Sequence, residues 1–117
     1  MVILYEHFGV FRQVFLDGRV LPTGPNPTWM GYSVGRWDGD VLVVDSRGHP
    51  STDALHITER FRRNDFGHLD IQITIDDPKA YTRPWTATVK RQLLADTDLL
   101  EFVCNENEKD QRHFVGR

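Results

Sequence analysis

The sequence is poor in helix signals. No window of twelve residues shows a clean 3.6-residue period of apolar positions with caps at its ends, which argues against an α-helical domain. Cysteine is nearly absent too. The single Cys104 can form no internal disulfide, so the thiol content leaves the redox compartment open. Neither a secretory apolar region nor a run long enough to span a bilayer occurs, so no transmembrane segment is expected. Nor is there an excess of positive charge. With 14 Lys and Arg against 17 Asp and Glu, the chain carries a formal charge of −3. That balance argues against a nucleic-acid partner, which calls for a basic field. The cluster Arg60, Arg62 and Arg63 reads as a solvated strand face. The chain has no internal repeat and no domain-dividing linker, so residues 1–117 are read as one domain.

What is present is β-strand signal. Asp38-Gly39 lies between two strand-forming runs and predicts a tight hairpin, with Val34 opposite Val43 and Tyr32 opposite Asp45. Leu55, Ile57, Glu59 and Phe61 share one strand face, and Leu69, Ile71, Ile73 and Ile75 share another. A loop of Asn64-Asp65-Phe66, closed by a left-handed Gly67, would bring those faces together. A further hairpin is expected at Asp96-Thr97, setting Leu93 opposite Leu100 and Val89 opposite Cys104. A weaker one is expected at Phe8-Gly9. The turn-rich Leu21-Pro22-Thr23-Gly24-Pro25-Asn26-Pro27 reads as a surface crossing. The expected fold is all-β: a small antiparallel up-and-down barrel of about eight strands, calycin- or lipocalin-like, with an open sheet or a sandwich as the alternative.

Two charges lie in apolar company. Glu59 falls among Leu55, Ile57 and Phe61, and Arg91 among Trp85, Val89 and Leu93. Lone buried charges are costly, so the sequence predicts a Glu59–Arg91 pair, either as an ordinary structural ion pair or as a ligand-orienting one. His49 and His56 flank a loop, and with Asp45, Asp53 or Glu59 they form a candidate site for a divalent transition metal. No strong metal motif supports it, and His56 and Glu59 should point to opposite faces. Cys104 lies on an apolar face, and no nucleophile elbow surrounds any serine. Acid–base chemistry is the more plausible catalytic class, with Asp45, His49 and Glu59 as candidates and Tyr32 beside them. Trp29, Tyr32, Trp37 and Trp85 would supply aromatic walls. Together with His56, Glu59 and Arg91 they make up the expected ligand-binding set.

Several long motifs carry a resemblance. They are Pro25-Asn26-Pro27-Thr28-Trp29-Met30-Gly31-Tyr32-Ser33, Trp37-Asp38-Gly39-Asp40, Leu55-His56-Ile57-Thr58-Glu59-Arg60-Phe61, Ile75-Asp76-Asp77-Pro78-Lys79-Ala80-Tyr81 and Cys104-Asn105-Glu106-Asn107. Through them the chain resembles a group of exported bacterial proteins of acidobacterial and soil-bacterial type, which has no assigned activity. The resemblance implies a periplasmic or secreted setting, because members begin with a signal sequence and a further segment. This chain starts directly at its first strand, and it is shorter between Asp45 and Gly48, beside His49.

Three functions are therefore expected as alternatives. The first is a barrel binding a small, partly apolar molecule. The second is a small hydrolase or isomerase working in the same pocket. The third is a structural module whose sheet edges pair with a partner, a homodimer included.

Overall fold

The computed structural model describes residues 1–5 and 10–94. Seven strands follow one another: β1 (Val2–Leu4), β2 (Phe11–Phe15), β3 (Tyr32–Asp38), β4 (Val41–Arg47), β5 (His56–Asp65), β6 (His68–Asp76) and β7 (Trp85–Gln92). They form one sheet whose spatial order equals the chain order. The described residues contain no helix, as the missing 3.6-residue period predicts. Among the described residues the sheet curls into a half-barrel rather than the expected closed barrel of eight strands. The predicted Asp96-Thr97 hairpin with Leu100 and Cys104, the Phe8-Gly9 turn and His7 lie outside the described residues.

The up-and-down order also fails at one step. β2 and β3 run parallel, with Val14 beside Ser33 and Phe15 beside Val34. A parallel neighbour requires the chain to return to its starting end, which takes a dozen or more residues. Residues 16–31, containing the proline-rich crossing, supply that length. All other neighbours are antiparallel.

The β3–β4 hairpin turns one residue later than the sequence suggests. Asp38 pairs with Val41, so the two loop residues are Gly39 and Asp40. Gly39 takes the left-handed φ of 62° at the first loop position, where a side chain would be strained. Val34 therefore opposes Asp45 rather than Val43, and Tyr32 opposes Arg47 rather than Asp45. Because side chains alternate, a shift of two along the partner strand leaves every face unchanged.

The β5–β6 faces meet as expected, with Ile57 opposite Ile75 and Phe61 opposite Ile71. The means differ. The register slips between Arg63 and Asp65, so Asn64 is the extra residue, and Asp65 pairs with His68 around a Phe66-Gly67 turn. Gly67 is not left-handed. Its N–H is held by Asp65 Oδ1 at 2.9 Å.

The core is small. Val14, Leu42 and Val44 are buried on the concave face, with Ile3 and Phe61 packed against them. Burying each such aliphatic side chain contributes roughly 1.5–3 kcal/mol. At the far end of β6, Asp77 is buried and accepts hydrogen bonds from Thr52 Oγ1 at 2.7 Å and from the Lys79 amide at 3.0 Å. Those bonds tie the loop before β5 to the turn after β6.

Candidate functional site

The concave face carries a buried charge that the sequence reading passed over. Arg12 on β2 shares its face with Val14 and is only 7% exposed. Its guanidinium lies across two small residues, Ser33 on β3 and Ser46 on β4, which oppose each other in the ladder. Nε donates to Ser33 Oγ at 3.0 Å and Nη2 to Ser46 Oγ at 2.9 Å, and the two hydroxyls share a 2.7 Å hydrogen bond. Nη2 also pairs with Glu59 Oε1 on β5, and Nη1 reaches Tyr5 Oη at 3.4 Å. β2 and β5 are three strand spacings apart, roughly 14 Å along a flat sheet. One ion pair spans that gap because the sheet curls and because serines, rather than large side chains, lie between.

Glu59 therefore finds its partner in Arg12, not in Arg91. Arg91 sits on β7 opposite Leu69 and is exposed. Burial disfavours the Arg12 charge. The hydrogen bond and charge of Glu59, with help from Tyr5, outweigh it and hold the guanidinium above its ordinary pKa.

Beside the pair is a cleft of about 210 Å³. Arg12, Ser46 and Glu59 form its polar floor, and Ile57, Ile73, Met30 and Trp29 form its apolar walls. His49 completes the lining. Local geometry brings His49 there. β4 ends at Arg47, and Gly48 reverses the chain with a φ of 82°. The Trp29-Met30 segment docks on this turn, with the Thr28 amide bonded to the Gly48 carbonyl at 2.9 Å. Residues 28–31 form a tight turn, closed by the Gly31 amide on the Thr28 carbonyl at 3.1 Å. Gly31 has a φ of 70°, and a Cβ there would lie 2.8 Å from both the Arg47 carbonyl oxygen and the His49 ring. Only glycine allows the two loops to close on each other, and their closure builds one rim of the cleft.

His49 is uncharged at neutral pH. Burial pushes its pKa below the ordinary value, the Arg12 charge adds to that, and Glu59 opposes it. Its Nδ1 is buried and has no hydrogen-bond partner among the described residues.

The remaining predicted residues lie elsewhere. Asp45 is on the convex face, where Oδ1 accepts from Thr58 Oγ1 at 2.7 Å and contacts His56 Nε2 at 3.1 Å, with Arg36 at 3.8 Å. His56 and Glu59 point to opposite faces, as their spacing predicts. His49 and His56 are thus on different sides of the sheet. Among the described residues, no three His, Cys, Asp or Glu side chains converge on a point that could hold a metal ion. Tyr32 stacks on Phe15 with ring centroids 5.2 Å apart, and its hydroxyl accepts from Arg19 Nη1 at 2.9 Å. Trp85 packs edge-on against Tyr81 at 5.7 Å, and Trp37 is exposed near the β3–β4 turn. Of the residues expected to bind ligand or do chemistry, the cleft gathers Trp29, His49 and Glu59.

A larger recess of about 330 Å³ lies at the tip of the β5–β6 hairpin, lined in part by Arg63, Phe66, His68 and Arg91. Its polar residues are all exposed, so it lacks the fixed polar floor of the cleft. No helix among the described residues is long and apolar enough to cross a membrane.

The sequence pattern held two signals for Arg12. It alternates with Val14 on the buried face of a short strand, and two inward serines leave room for a long side chain. Neither signal names Glu59 as the partner, because that contact depends on the curl of the sheet. In comparisons with known proteins, the chain matches no family model, no curated protein and no solved structure.

Proposed function

We propose that the protein binds a small, partly apolar molecule in the cleft between the Arg12–Glu59 pair, His49 and Trp29. The observation that carries this reading is the fixed polar floor beneath the apolar walls of the cleft, where the buried Arg12 holds Glu59 and Ser46 in place. The walls from Met30, Ile57 and Ile73 offer apolar contact, and the ion pair fixes a carboxylate in place. At about 210 Å³ the cleft is smaller than sites for drug-sized molecules, and suits a compact ligand.

Titration with the neutral apolar dye N-phenyl-1-naphthylamine tests the reading. Saturable fluorescence enhancement at one class of sites, lost in Trp29→Ala, is expected. An absence of binding, or binding untouched by that substitution, would sink it. Trp29 is 74% exposed, so its removal leaves the fold intact.

One observation favours a second reading. A neutral imidazole near an ionised carboxylate is the arrangement of a general base. Under this reading, Asp45 on the convex face takes no part. Any activity found should fall as pH drops below the ordinary histidine range, and should vanish in His49→Gln.

A further inference from the structure

The concave face stays apolar past the cleft, toward the tip of the β5–β6 hairpin. After the row Glu59–Ile73–Ala87, the cross-strand rows of β5, β6 and β7 read Phe61–Ile71–Val89 and then Arg63–Leu69–Arg91. Phe61, Leu69, Ile71, Ile73 and Val89 are only half-buried, and Ala87 is exposed. Residues on one strand face recur at every second position, so the rows lie roughly 6.7 Å apart and form one open trough. A contiguous apolar surface left open in this way marks a binding face.

The trough ends at two arginines. Arg63 and Arg91 flank Leu69 on one row, two strand spacings or roughly 10 Å apart. Both line the tip recess of about 330 Å³. Arg63 is fixed in place. Its Nε and Nη2 donate to the carbonyl oxygens of Asp65 and Phe66 at 3.2 and 2.7 Å, and its guanidinium lies 4.9 Å from the centre of the Phe66 ring. Neither Arg63 nor Arg91 has a carboxylate partner among the described residues. The nearby acids are taken. Asp65 accepts from the Gly67 amide and contacts His68, and Glu59, roughly 13 Å down β5, is held by Arg12. On the convex face, by contrast, Arg60 pairs with Asp38 and Lys90 with Asp70. An anion between Arg63 and Arg91 would relieve their mutual repulsion and take charge-assisted hydrogen bonds from both.

From this juxtaposition we infer that the trough binds the anion of a long-chain fatty acid. The carboxylate sits between Arg63 and Arg91, and the hydrocarbon chain runs over Phe61, Ile71 and Val89 toward Ile73. The exposure of the arginines suits a head group that keeps part of its hydration. A small anion would leave the apolar rows in water. An extended peptide would bring amide groups onto rows that offer them no partner, whereas a hydrocarbon chain needs none. A second copy fits poorly, because two concave faces set against each other enclose a space rather than touch. The inference goes beyond the cleft reading and stands without it.

The test titrates laurate into the whole chain by calorimetry, below its micelle concentration. Dodecyltrimethylammonium and acetate serve as the cationic and tail-less counterparts. Laurate should bind saturably at one site, acetate should not bind, and the cation should bind at least about tenfold more weakly. Arg91→Gln removes half of the clamp, and Ala87→Asp puts a charge in the path of the chain at an exposed position. Each should weaken laurate about tenfold or more. Lys90→Gln and Thr88→Asp make the same charge changes on the opposite face of β7, and should stay within about twofold of the native chain. Absence of saturable laurate binding, equal binding of the cation, or equal losses in the opposite-face variants would overturn the inference. So would a dimer in sedimentation that laurate does not dissociate, because a second copy would then hold the face. Dye binding in the cleft is read separately through Trp29→Ala, so either reading can fail alone.

Discussion

At the residue scale, the Arg12–Glu59 pair is both a structural tie and the floor of a site, and substitutions can separate these roles. Arg12→Ala strands Glu59 and two buried serine hydroxyls, and should cost about 3–5 kcal/mol in denaturant unfolding. The double substitution Arg12→Met with Glu59→Leu removes both charges at similar volume. It should regain most of that loss, since apolar replacement of a buried pair is often neutral. It should not regain ligand binding. A double variant as unstable as Arg12→Ala would show that the serine contacts, rather than the charges, set the cost. His49 adds a pH dependence whose sign follows from its depressed pKa. The unfolded chain takes up that proton near the ordinary value of 6.5, and the folded chain only at lower pH. The unfolded state therefore binds more protons in this window. Stability linked to His49 is complete above pH 6.5 and falls as pH drops from there through the folded value. Unfolding curves across this range should steepen in slope against pH for the native chain and flatten in His49→Asn.

At the scale of elements, glycine placement decides what the loops can do. Gly31→Ala puts a methyl group against a backbone oxygen and the His49 ring at a left-handed φ, and should cost about 1–3 kcal/mol. Gly24→Ala, in the same crossing, meets nothing within 4 Å and should be close to neutral. Comparing the two melting curves checks whether loop closure, rather than loop flexibility, is what Gly31 provides. The β5–β6 hairpin makes a different forecast. Asn64 is the extra residue of a bulge, so deleting it leaves Asp65 with His68 and Arg63 with Leu69 in a regular ladder. Cross-strand contacts of Ile57 with Ile75 and Phe61 with Ile71 should survive in NMR spectra of the deletion variant. Their loss would mean that the bulge itself sets the register. Strand faces were legible in the sequence because alternation is local, and Glu59 was legible because a charge among Ile57 and Phe61 breaks the pattern. The exact turn at Gly39-Asp40 was not. Asp-Gly and Gly-Asp loops lie within one residue of each other there, and both preserve the faces.

At the scale of the molecule, the errors of sequence reading share one cause. Closure into a barrel, the parallel β2–β3 step and the Arg12–Glu59 contact all depend on how strands far apart in the chain meet. Arg12 precedes Glu59 by 47 positions, and nothing in either neighbourhood names the other. Hydrophobic alternation tells which face a residue takes, but not how sharply the sheet bends. Chemistry-bearing residues divide accordingly. His49 and Glu59 could be nominated by type, whereas the separation of Asp45 and His56 onto the opposite surface follows from face assignment once the strands are known.

The parallel junction between β2 and β3 has a dynamic consequence. It consists of only two paired positions, Val14 with Ser33 and Phe15 with Val34. The N-terminal hairpin is thus fastened to the rest of the sheet by a short seam, a few core side chains and the Arg12 strut. Such a piece should open as a cooperative unit at a lower free energy than global unfolding, and its amides should exchange with solvent together. Because Arg12 leaves the cleft when the hairpin opens, the site is whole only while the hairpin is latched. A ligand that binds the assembled cleft should therefore slow hydrogen exchange at Arg12 and Val14, on a strand it contacts only through one side chain, before it affects exchange in β6 or β7.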